Sequence, residues 1–329
     1  MSQPHSLTSH TDSSSGPQAD SQREAERQSL EGRLTKMRVA LKRAPEQDSP
    51  LGEAHEVDYT LSLFSDEAQR EGGALEVDRS VSLASLIGRE LEVTYLKRIQ
   101  CVSCDRKIRK TYGDGLCFPC FDTSASSAEC VIRPELCLAH EGKGRDPEWE
   151  RRNHAQPHLV YLALTSHYKV GVTRDWPTRW IDQGAAAVKV IAETPYRQLA
   201  GQIEVALSAH YRDKTVWQRM LKGELLADAD LASEGETAVQ RLSTELQQYH
   251  SLDQPALRFI YPLLEPIKRV KSVKLDKLDK LTDEARGSAD TLTYRGQLMG
   301  ARGQYLIFRG GVVLNLRAHT GYHVRFTWR

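Results

Sequence analysis

The 329-residue sequence has neither a large charge imbalance nor a long hydrophobic run. Its 45 lysines and arginines stand against 44 aspartates and glutamates, which gives a formal net charge of +1. No overall basic excess therefore predicts a polyanionic partner. No apolar run approaches the roughly 20 residues that a membrane span needs, and residues 1–20 lack the apolar core of a signal peptide. We expect a cytoplasmic protein without a membrane partner, long enough for about two folded domains.

Cysteine is absent outside residues 101–137, where all six cysteines lie. In a reducing compartment such clustering favours metal binding over disulfides. Cys101 and Cys104 form one Cys-x2-Cys pair, and Cys117 and Cys120 form a second pair twelve residues further on. This spacing predicts a zinc ribbon with one tetrahedral Zn²⁺ site. Four thiolates leave no coordination position for a substrate, so we expect this zinc to be structural.

A second group of potential zinc ligands follows the ribbon. Cys130, Cys137 and His140 have the spacing Cys-x6-Cys-x2-His. His154 or His158 can supply a fourth ligand, and we favour His154 because His158 begins the next predicted strand. The alternative is that the two cysteines are buried small hydrophobic residues.

Residues 158–222 contain a compact series of predicted elements. Two short apolar runs predict a hairpin, a helix begins near Asp175 and Pro177, a third strand follows, and Pro195 begins a helix with an apolar face. The predicted order is strand, strand, helix, strand, helix. The strands are Val160–Leu164, Lys169–Val172 and Val188–Ala192. The first helix carries Arg179 and Gln183, and the apolar face of the second lies between Leu199 and Tyr211.

This order, with four of its residues, resembles the GIY-YIG superfamily of nuclease-like domains. The residues are Tyr161 in the first strand, Gly171 in a Val-Gly-x-Thr turn, Arg179 in the short helix and Glu204 in the last helix. The resemblance implies that Tyr161 and Arg179 act on a scissile phosphodiester while Glu204 holds Mg²⁺ or Mn²⁺. A hydroxyl, a guanidinium and a hard carboxylate suit these tasks chemically.

The chain departs from that superfamily at one position, because Lys169 stands where the second tyrosine is expected. Tyr168 is adjacent, but neighbouring strand residues point to opposite faces. Lys169 is then either a base of lowered pKa or a phosphate-binding cation. The plainer interpretation also stays open: Tyr161 as a core aromatic, with Arg179 and Glu204 as solvated charges on their helices.

The whole series of motifs resembles an uncharacterised bacterial family that is defined only as a domain of unknown function. The resemblance extends from about Gly32 to the C-terminus and implies no established activity. It rests on the two cysteine pairs, the Cys-x6-Cys-x2-His group, Arg145–Trp149, Val160–Ala163, Lys169–Arg174 and Arg179–Ala185. Where that family often carries a further cysteine, this chain has Gly144.

The two ends of the chain favour β structure. Residues 1–30 are too polar to fold and are predicted to be a disordered tail. Residues 31–100 form a predicted β subdomain and residues 261–329 another, and together the two are expected to close a small barrel-like unit. Residues 223–260 form a predicted helical extension, interrupted by the acidic stretch 228–236. The predicted strands are Gly32–Lys42, which also fits a helix, Val57–Leu63, Leu91–Tyr95, Gly303–Phe308, Val312–Leu316 and Tyr322–Trp328.

The sequence thus predicts an α+β protein with a zinc ribbon and additional zinc-binding region (101–157) before a GIY-YIG-like domain (158–222). The leading hypothesis is a zinc-containing nucleic-acid-binding protein with metal-dependent phosphodiesterase activity. Tyr161, Lys169, Arg179 and Glu204 are its candidate catalytic residues. Two other hypotheses stay open: a catalytically inactive RNA- or DNA-binding module, favoured by Lys169, and a protein-interaction scaffold, favoured by the near-zero net charge.

Overall fold

The computed structural model describes residues 27–45, 49–65, 70–71, 74–75, 79–211, 215–280 and 292–329. Most of the predicted tail lies outside these residues. The first described strand begins at Gln28, inside the segment predicted as a tail.

The described chain contains sixteen strands and eight α-helices. The strands are β1 Gln28–Leu34, β2 Arg38–Arg43, β3 Glu53–Phe64, β4 Arg70–Glu71, β5 Ala74–Leu75, β6 Arg79–Ser82, β7 Glu90–Ile99, β8 His158–Leu164, β9 Tyr168–Thr173, β10 Ala187–Thr194, β11 Leu257–Ile260, β12 Lys271–Val273, β13 Leu292–Arg302, β14 Tyr305–Phe308, β15 Val312–Asn315 and β16 Tyr322–Trp328. The helices are α1 Phe118–Thr123, α2 Glu129–Ile132, α3 Pro147–His154, α4 Thr178–Asp182, α5 Arg197–Leu207, α6 Trp217–Lys222, α7 Leu231–Gln240 and α8 Thr244–Gln247. The longest of these helices has 11 residues, so no described helix can cross a membrane.

Fourteen of these strands form one mixed sheet, so the protein has the α+β character that the sequence predicts. The hydrogen-bonded order is β12-β15-β14-β13-β7-β16-β1-β3-β11-β10-β8-β9, with β2 and β6 paired to β3. Most neighbours are antiparallel, while β12 with β15 and β11 with β3 are parallel. The described strands therefore follow an open order instead of the closed barrel that the sequence favours.

The two ends of the described chain meet in the middle of the sheet. β1 pairs with β16 over six residue pairs, from Gln28 with Trp328 to Arg33 with His323. The prediction that both ends share one β unit agrees with this pairing. Every residue of β16 except Arg325 is buried. Within this strand, the Nε2 atom of His323 lies 2.6 Å from Gln100 Oε1.

The segment predicted as one strand, Gly32–Lys42, is two strands with a break at residues 35–37. Gln304 holds this break from the far end of the chain. Its Oε1 atom accepts the N–H of Met37 at 2.8 Å, and its Nε2 atom donates to the carbonyl of Met37 at 3.1 Å. Alternation alone does not reveal such a break, because both halves keep the same period of two.

Residues 158–207 have the predicted element order: β8, β9, α4, β10 and α5. The three strands are not a separate sheet, however. β10 also pairs with β11, and β11 pairs in parallel with β3. The predicted domain at 158–222 is therefore continuous with the sheet built from the chain ends.

The region after this segment is helical, as predicted, but it ends in a strand, β11. The acidic stretch does not interrupt the helices. Asp230 begins α7 as its N-cap, since its carboxylate accepts the N–H groups of Ala232 and Ser233 at 2.9 and 3.1 Å. An acidic residue before an apolar period is a start signal for a helix.

Candidate active site and metal centres

The four predicted catalytic residues line one cleft of about 590 Å³. Tyr161 comes from β8, Lys169 from β9, Arg179 from α4 and Glu204 from α5. In an antiparallel pair, residues two apart lie on one face. Tyr161 is opposite Gly171 and Ala163 is opposite Lys169, so both candidate strand residues are on the cleft side of the hairpin.

Tyr161 is fixed in the floor of this cleft. Its side chain is buried, its ring packs edge-on against Trp180 at 5.7 Å, and its hydroxyl accepts a hydrogen bond from Gln183 Nε2 at 2.6 Å. A Cβ atom added to Gly171 would lie 2.6 Å from the Tyr161 hydroxyl oxygen. The glycine of the Val-Gly-x-Thr turn is therefore required by the tyrosine opposite it.

The Gln183 amide determines which way the Tyr161 proton points. The same Nε2 atom also donates to the carbonyl oxygen of Arg179 at 3.0 Å, which can only accept. Nitrogen, not oxygen, thus faces Tyr161, and the tyrosine keeps its own proton for another acceptor. Burial raises the pKa of Tyr161, although the nearby Arg179 charge and the Gln183 hydrogen bond oppose that rise. At neutral pH the group is a phenol that can donate a hydrogen bond into the cleft.

Tyr168 lies on the other face of the hairpin, as strand alternation requires. Its hydroxyl accepts the N–H of Asp230 at 2.8 Å, at the start of α7. Lys169, which is 9% exposed, is the residue that lines the cleft at this position. The expectation that Tyr168 cannot take the place of Lys169 agrees with these contacts.

The cleft is lined by more positively charged side chains than the sequence analysis identifies. Its lining includes four further cations that the sequence patterns do not single out. Against six cations in all stand three carboxylates, and one of these, Asp182, already pairs with Lys36 at 3.7 Å. Such a surplus of positive charge in a concave site favours an anionic ligand. The additional cations are Lys36, Arg174, Arg197 and Arg317.

The two Cys-x2-Cys pairs converge on one point, as predicted. One ligand atom from each of Cys101, Cys104, Cys117 and Cys120 lies within 4.8 Å of every other, so the group can hold a metal ion. The Sγ atom of Cys101 accepts the N–H groups of Ser103 and Cys117 at 3.4 and 3.2 Å. Burial works to raise the pKa of Cys101, but backbone N–H groups outweigh it and lower the pKa to about 7. Cys101 is thus favoured as the thiolate, the form that binds Zn²⁺, whereas burial raises the pKa of Cys120.

The second cluster contains one ligand that the sequence does not predict. Cys130, Cys137 and His154 meet the carboxylate of Glu150, again with all four ligand atoms within 4.8 Å of one another. His140 is not in this group; its ring stacks on Tyr196 at 4.1 Å, nearly parallel. Glu150 and His154 are four residues apart on α3, which places them on one face. That spacing is the signal that could have revealed Glu150.

The Glu150 carboxylate is oriented by its surroundings. Its Oε1 atom accepts the N–H of Arg145 at 2.7 Å, and its Oε2 atom lies 3.8 Å from Cys130 Sγ. A Cβ atom at Gly144 would lie 2.3 Å from that Oε2 atom. Glu150 therefore fills the space that a side chain at position 144 would need.

A hydrogen bond between Cys130 and Cys137 changes the pKa of the two thiols in opposite directions. A hydrogen bond from Cys130 lowers the pKa of Cys137 to about 4, with His154 acting in the same direction, and the same hydrogen bond raises the pKa of Cys130. One of the two is a thiolate at neutral pH. A buried thiolate, a carboxylate and an imidazole together form a donor set suited to Zn²⁺.

His158, the alternative fourth ligand, lies beside this cluster and not in it. Its Nδ1 atom is 2.7 Å from the carbonyl oxygen of Gln156, and its ring centroid is 6.5 Å from that of His154. Burial lowers the pKa of His158 to about 4. The neutral imidazole therefore donates from Nδ1 and lines the cleft.

Helix α5 connects the second cluster to the cleft. Arg197, at its first residue, donates to the carbonyl oxygens of Cys130 and Val131 at 2.9 and 3.0 Å. One turn later, a Cβ atom at Gly201 would lie 2.2 Å from the backbone nitrogen of Glu135. The helix thus packs directly on the 130–137 segment, and it carries Glu204 into the cleft from there.

Comparison with protein families gives one finding. A family model described as "Protein of unknown function (DUF2797)" matches residues 88–324. The matched range contains both cysteine clusters and every residue discussed in the cleft except Lys36. No match to this chain was found among curated proteins or solved structures.

Proposed function

The chain belongs to the DUF2797 family, whose description assigns no activity, and from its own residues we propose that it is a metal-dependent nucleic-acid phosphodiesterase of the GIY-YIG type. The observation that carries this proposal is that Tyr161, Lys169, Arg179 and Glu204 line the same cleft. They come from four elements in the order strand, strand, helix, helix, and Gly171 is fitted to the hydroxyl of Tyr161.

The cationic lining supports a phosphodiester as the substrate. Arg179 is exposed at the cleft, so its guanidinium can form two parallel hydrogen bonds with a phosphate. Arg197 and Lys169 add positive charge in a partly desolvated site, where electrostatic attraction is stronger than in water. These groups hold the phosphate and stabilise the negative charge that develops on it during cleavage.

Tyr161 orients the attacking water. The hydroxyl already accepts from Gln183, so its own proton can be donated to a water molecule in the cleft. Because burial raises the pKa of Tyr161, the phenol acts by hydrogen bonding while it remains protonated. Lys169, beside it on the same face, contributes a cation where the superfamily has its second tyrosine.

Glu204 fits the divalent ion that the resemblance implies. It is a half-buried carboxylate at the cleft, and Mg²⁺ commonly binds through one or two carboxylates together with substrate phosphate oxygens. When bound, Mg²⁺ or Mn²⁺ would supply Lewis-acid stabilisation of the phosphate charge. Zn²⁺ at the two cysteine clusters has a different task, which is to hold the 101–154 segment against the sheet and α5.

Cleavage of labelled single-stranded, branched and duplex DNA and RNA, with Mg²⁺ or Mn²⁺, tests the proposal. We expect Glu204→Ala to lower the cleavage rate on the order of 100-fold or more. Glu193→Ala is the matched control, since Glu193 is an exposed carboxylate on β10 outside the cleft lining. Equal rates for wild type and Glu204→Ala would contradict the proposal.

The second candidate function is a nucleic-acid reader that has lost cleavage. Lys169 favours it, since a lysine in place of the second tyrosine strengthens phosphate binding and removes one hydroxyl from the chemistry. Binding that weakens as salt rises, without cleavage under any metal condition, would support this function. If the protein neither cleaves nor binds nucleic acid, the result supports the scaffold hypothesis.

A further inference from the structure

The loop region around the first cysteine cluster forms an exposed surface that is separate from the lining of the cleft. Its depression has a volume of about 700 Å³ and shares no lining residue with the cleft. We call the four cations and two aromatic residues of this depression the knuckle surface: Arg106, Lys107, Arg109, Lys110, Tyr112 and Phe118.

The charge of the knuckle surface has one sign. All four of its cations are exposed, and no acidic side chain lines the depression. Within the part of the chain that the structure describes, none of the four forms an ion pair with a carboxylate. The nearby Asp105 is paired with Arg33 at 2.7 Å and leaves the surface charge unbalanced. Four clustered cations on a chain of net charge +1 are a local feature that favours a polyanion.

Aromatic rings lie among these cations. Phe118 is 55% exposed, although it is a large apolar side chain. Its ring contacts Tyr112 edge-on at 5.3 Å, and the Nζ atom of Lys110 lies 4.7 Å above the Tyr112 ring. Phe118 is the first residue of α1, directly after the ligand Cys117. A metal-bound knuckle therefore holds this ring outward at a fixed position.

We propose that the knuckle surface binds a single-stranded nucleic acid, with phosphates on the four cations and one base stacked on Phe118. Interleaved cations and exposed rings are the features that bind single strands without sequence preference. A duplex hides the faces of its bases and gains nothing from Phe118. An acidic peptide without aromatic residues would satisfy the cations but would have no flat ring to stack.

The loop between the two cysteine pairs is joined to the cleft lining by one ion pair. Arg317, which lines the cleft, donates from Nε to Asp114 Oδ1 at 2.9 Å, and Asp114 lies in that loop. The same loop carries five of the six residues of the knuckle surface. The inference goes beyond the proposed cleavage, because the surface binds whether or not the cleft cuts.

Equilibrium binding by the full-length, zinc-loaded protein tests the inference. Fluorescence anisotropy with labelled 12-nucleotide oligo(dT) and oligo(U), and with a 12-base-pair duplex, is measured without added divalent metal. We expect Phe118→Ala to weaken single-strand binding roughly 5- to 150-fold. Phe118→Trp should restore it, which shows that the ring and not the fold of the knuckle is responsible. Zinc content is measured for each variant.

The cations have their own signature. Lys107→Ala should weaken binding of both oligonucleotides and reduce the slope of log affinity against log salt by about 0.7. Lys271→Ala, an exposed lysine on β12, is the matched control and should change neither quantity. Duplex affinity should be insensitive to Phe118→Ala.

Three results would overturn the inference. The first is unchanged single-strand binding by Phe118→Ala with its zinc retained. The second is a duplex bound as tightly as the single strand with the same dependence on Phe118. The third is binding of an anionic vesicle or of poly-glutamate that depends on Phe118 to the same extent. Binding that depends on Phe118 in a protein that cuts nothing would sustain this inference and reject the proposed cleavage, and cleavage with Phe118-independent binding would do the reverse.

Discussion

Among single residues, Gly171 is a position at which the cleft has no room for a side chain. Because a Cβ atom there would lie 2.6 Å from the Tyr161 hydroxyl, Gly171→Ala should displace the tyrosine and lower the free energy of unfolding by about 1–3 kcal/mol. Urea unfolding measures this loss. Gly235→Ala is the control, since its Cβ atom would come no closer than 3.2 Å to another atom, Lys189 Cγ, with Ile191 and Leu252 at 3.6 Å. Equal stability of the two variants would show that the hairpin adapts at no cost.

His319 provides a pH-dependent contribution to stability. Its Nε2 atom accepts the N–H of Leu275 at 3.1 Å and its Nδ1 atom lies 2.7 Å from the carbonyl oxygen of Asn315, so the native ring is neutral. Burial lowers the pKa of His319 below the ordinary value of 6.5. The unfolded chain therefore takes up a proton first as pH falls below 6.5, and stability decreases there by up to about 1.4 kcal/mol per pH unit.

This pH dependence can be isolated with a variant. His319→Gln cannot titrate in this range, so its stability should fall less between pH 7.5 and pH 5.5 than that of the wild type. Urea unfolding at the two pH values measures both differences, and all other titrating groups are common to the two proteins. The same pH dependence in both would mean that His319 is protonated as readily in the native state as in the unfolded chain.

The sequence names three of the four members of the second cluster, Cys130, Cys137 and His154, but not Glu150. It names four residues that line the cleft and misses the four additional cations there. Tyr161, Gly171 and Glu204 have fixed positions on elements whose order is readable from hydrophobic period. Glu150 was missed because a carboxylate ligand belongs to no standard cysteine and histidine spacing. His140 has the spacing of a ligand, but its ring stacks on Tyr196, a contact between distant segments that no local pattern encodes.

Among the secondary-structure elements, α3 supplies two of the four potential metal ligands of the second cluster, Glu150 and His154. We expect the wild-type protein to bind two equivalents of Zn²⁺. Glu150→Ala removes the carboxylate that lies with Cys130, Cys137 and His154, and should bind only one equivalent tightly. His140→Ala should keep both. Metal analysis after dialysis measures the equivalents, and thiolate-to-Co²⁺ absorption identifies the remaining cluster.

The same pair of variants can also contradict the ligand set that includes Glu150. Loss of the second equivalent in His140→Ala, but not in Glu150→Ala, would mean that the ring leaves Tyr196 when metal binds and that the predicted ligand set was correct. Because Arg197 binds the carbonyl oxygens of Cys130 and Val131, loss of this metal should also lower the proposed cleavage activity through α5.

Across the whole molecule, the elements were easier to predict than their partners. The hydrophobic period of β3 and β16 indicates that they are strands, but it does not say which strands lie beside them. The parallel pairing of Glu53 with Leu257 joins segments about 200 residues apart. Burial of both faces of β16 follows from that larger sheet, and no alternation in its own sequence could predict it.

Continuity of the sheet means that residues 158–222 should not fold alone. In the full chain, β10 is covered by β11, and the Tyr261 hydroxyl donates to the carbonyl oxygen of Ala185 at 2.7 Å. A fragment of residues 158–222 lacks both contacts and exposes an unpaired strand edge. We expect it to aggregate or to show no cooperative unfolding, while the full chain should unfold with the same midpoint by far-UV circular dichroism and by tryptophan fluorescence. Residues 158–262, which include β11 and Tyr261, are the comparison fragment and should retain more native structure. A soluble 158–222 fragment with cooperative unfolding would restore the separate domain that the sequence predicts, and the junction through β11 would then be a contact between independent units.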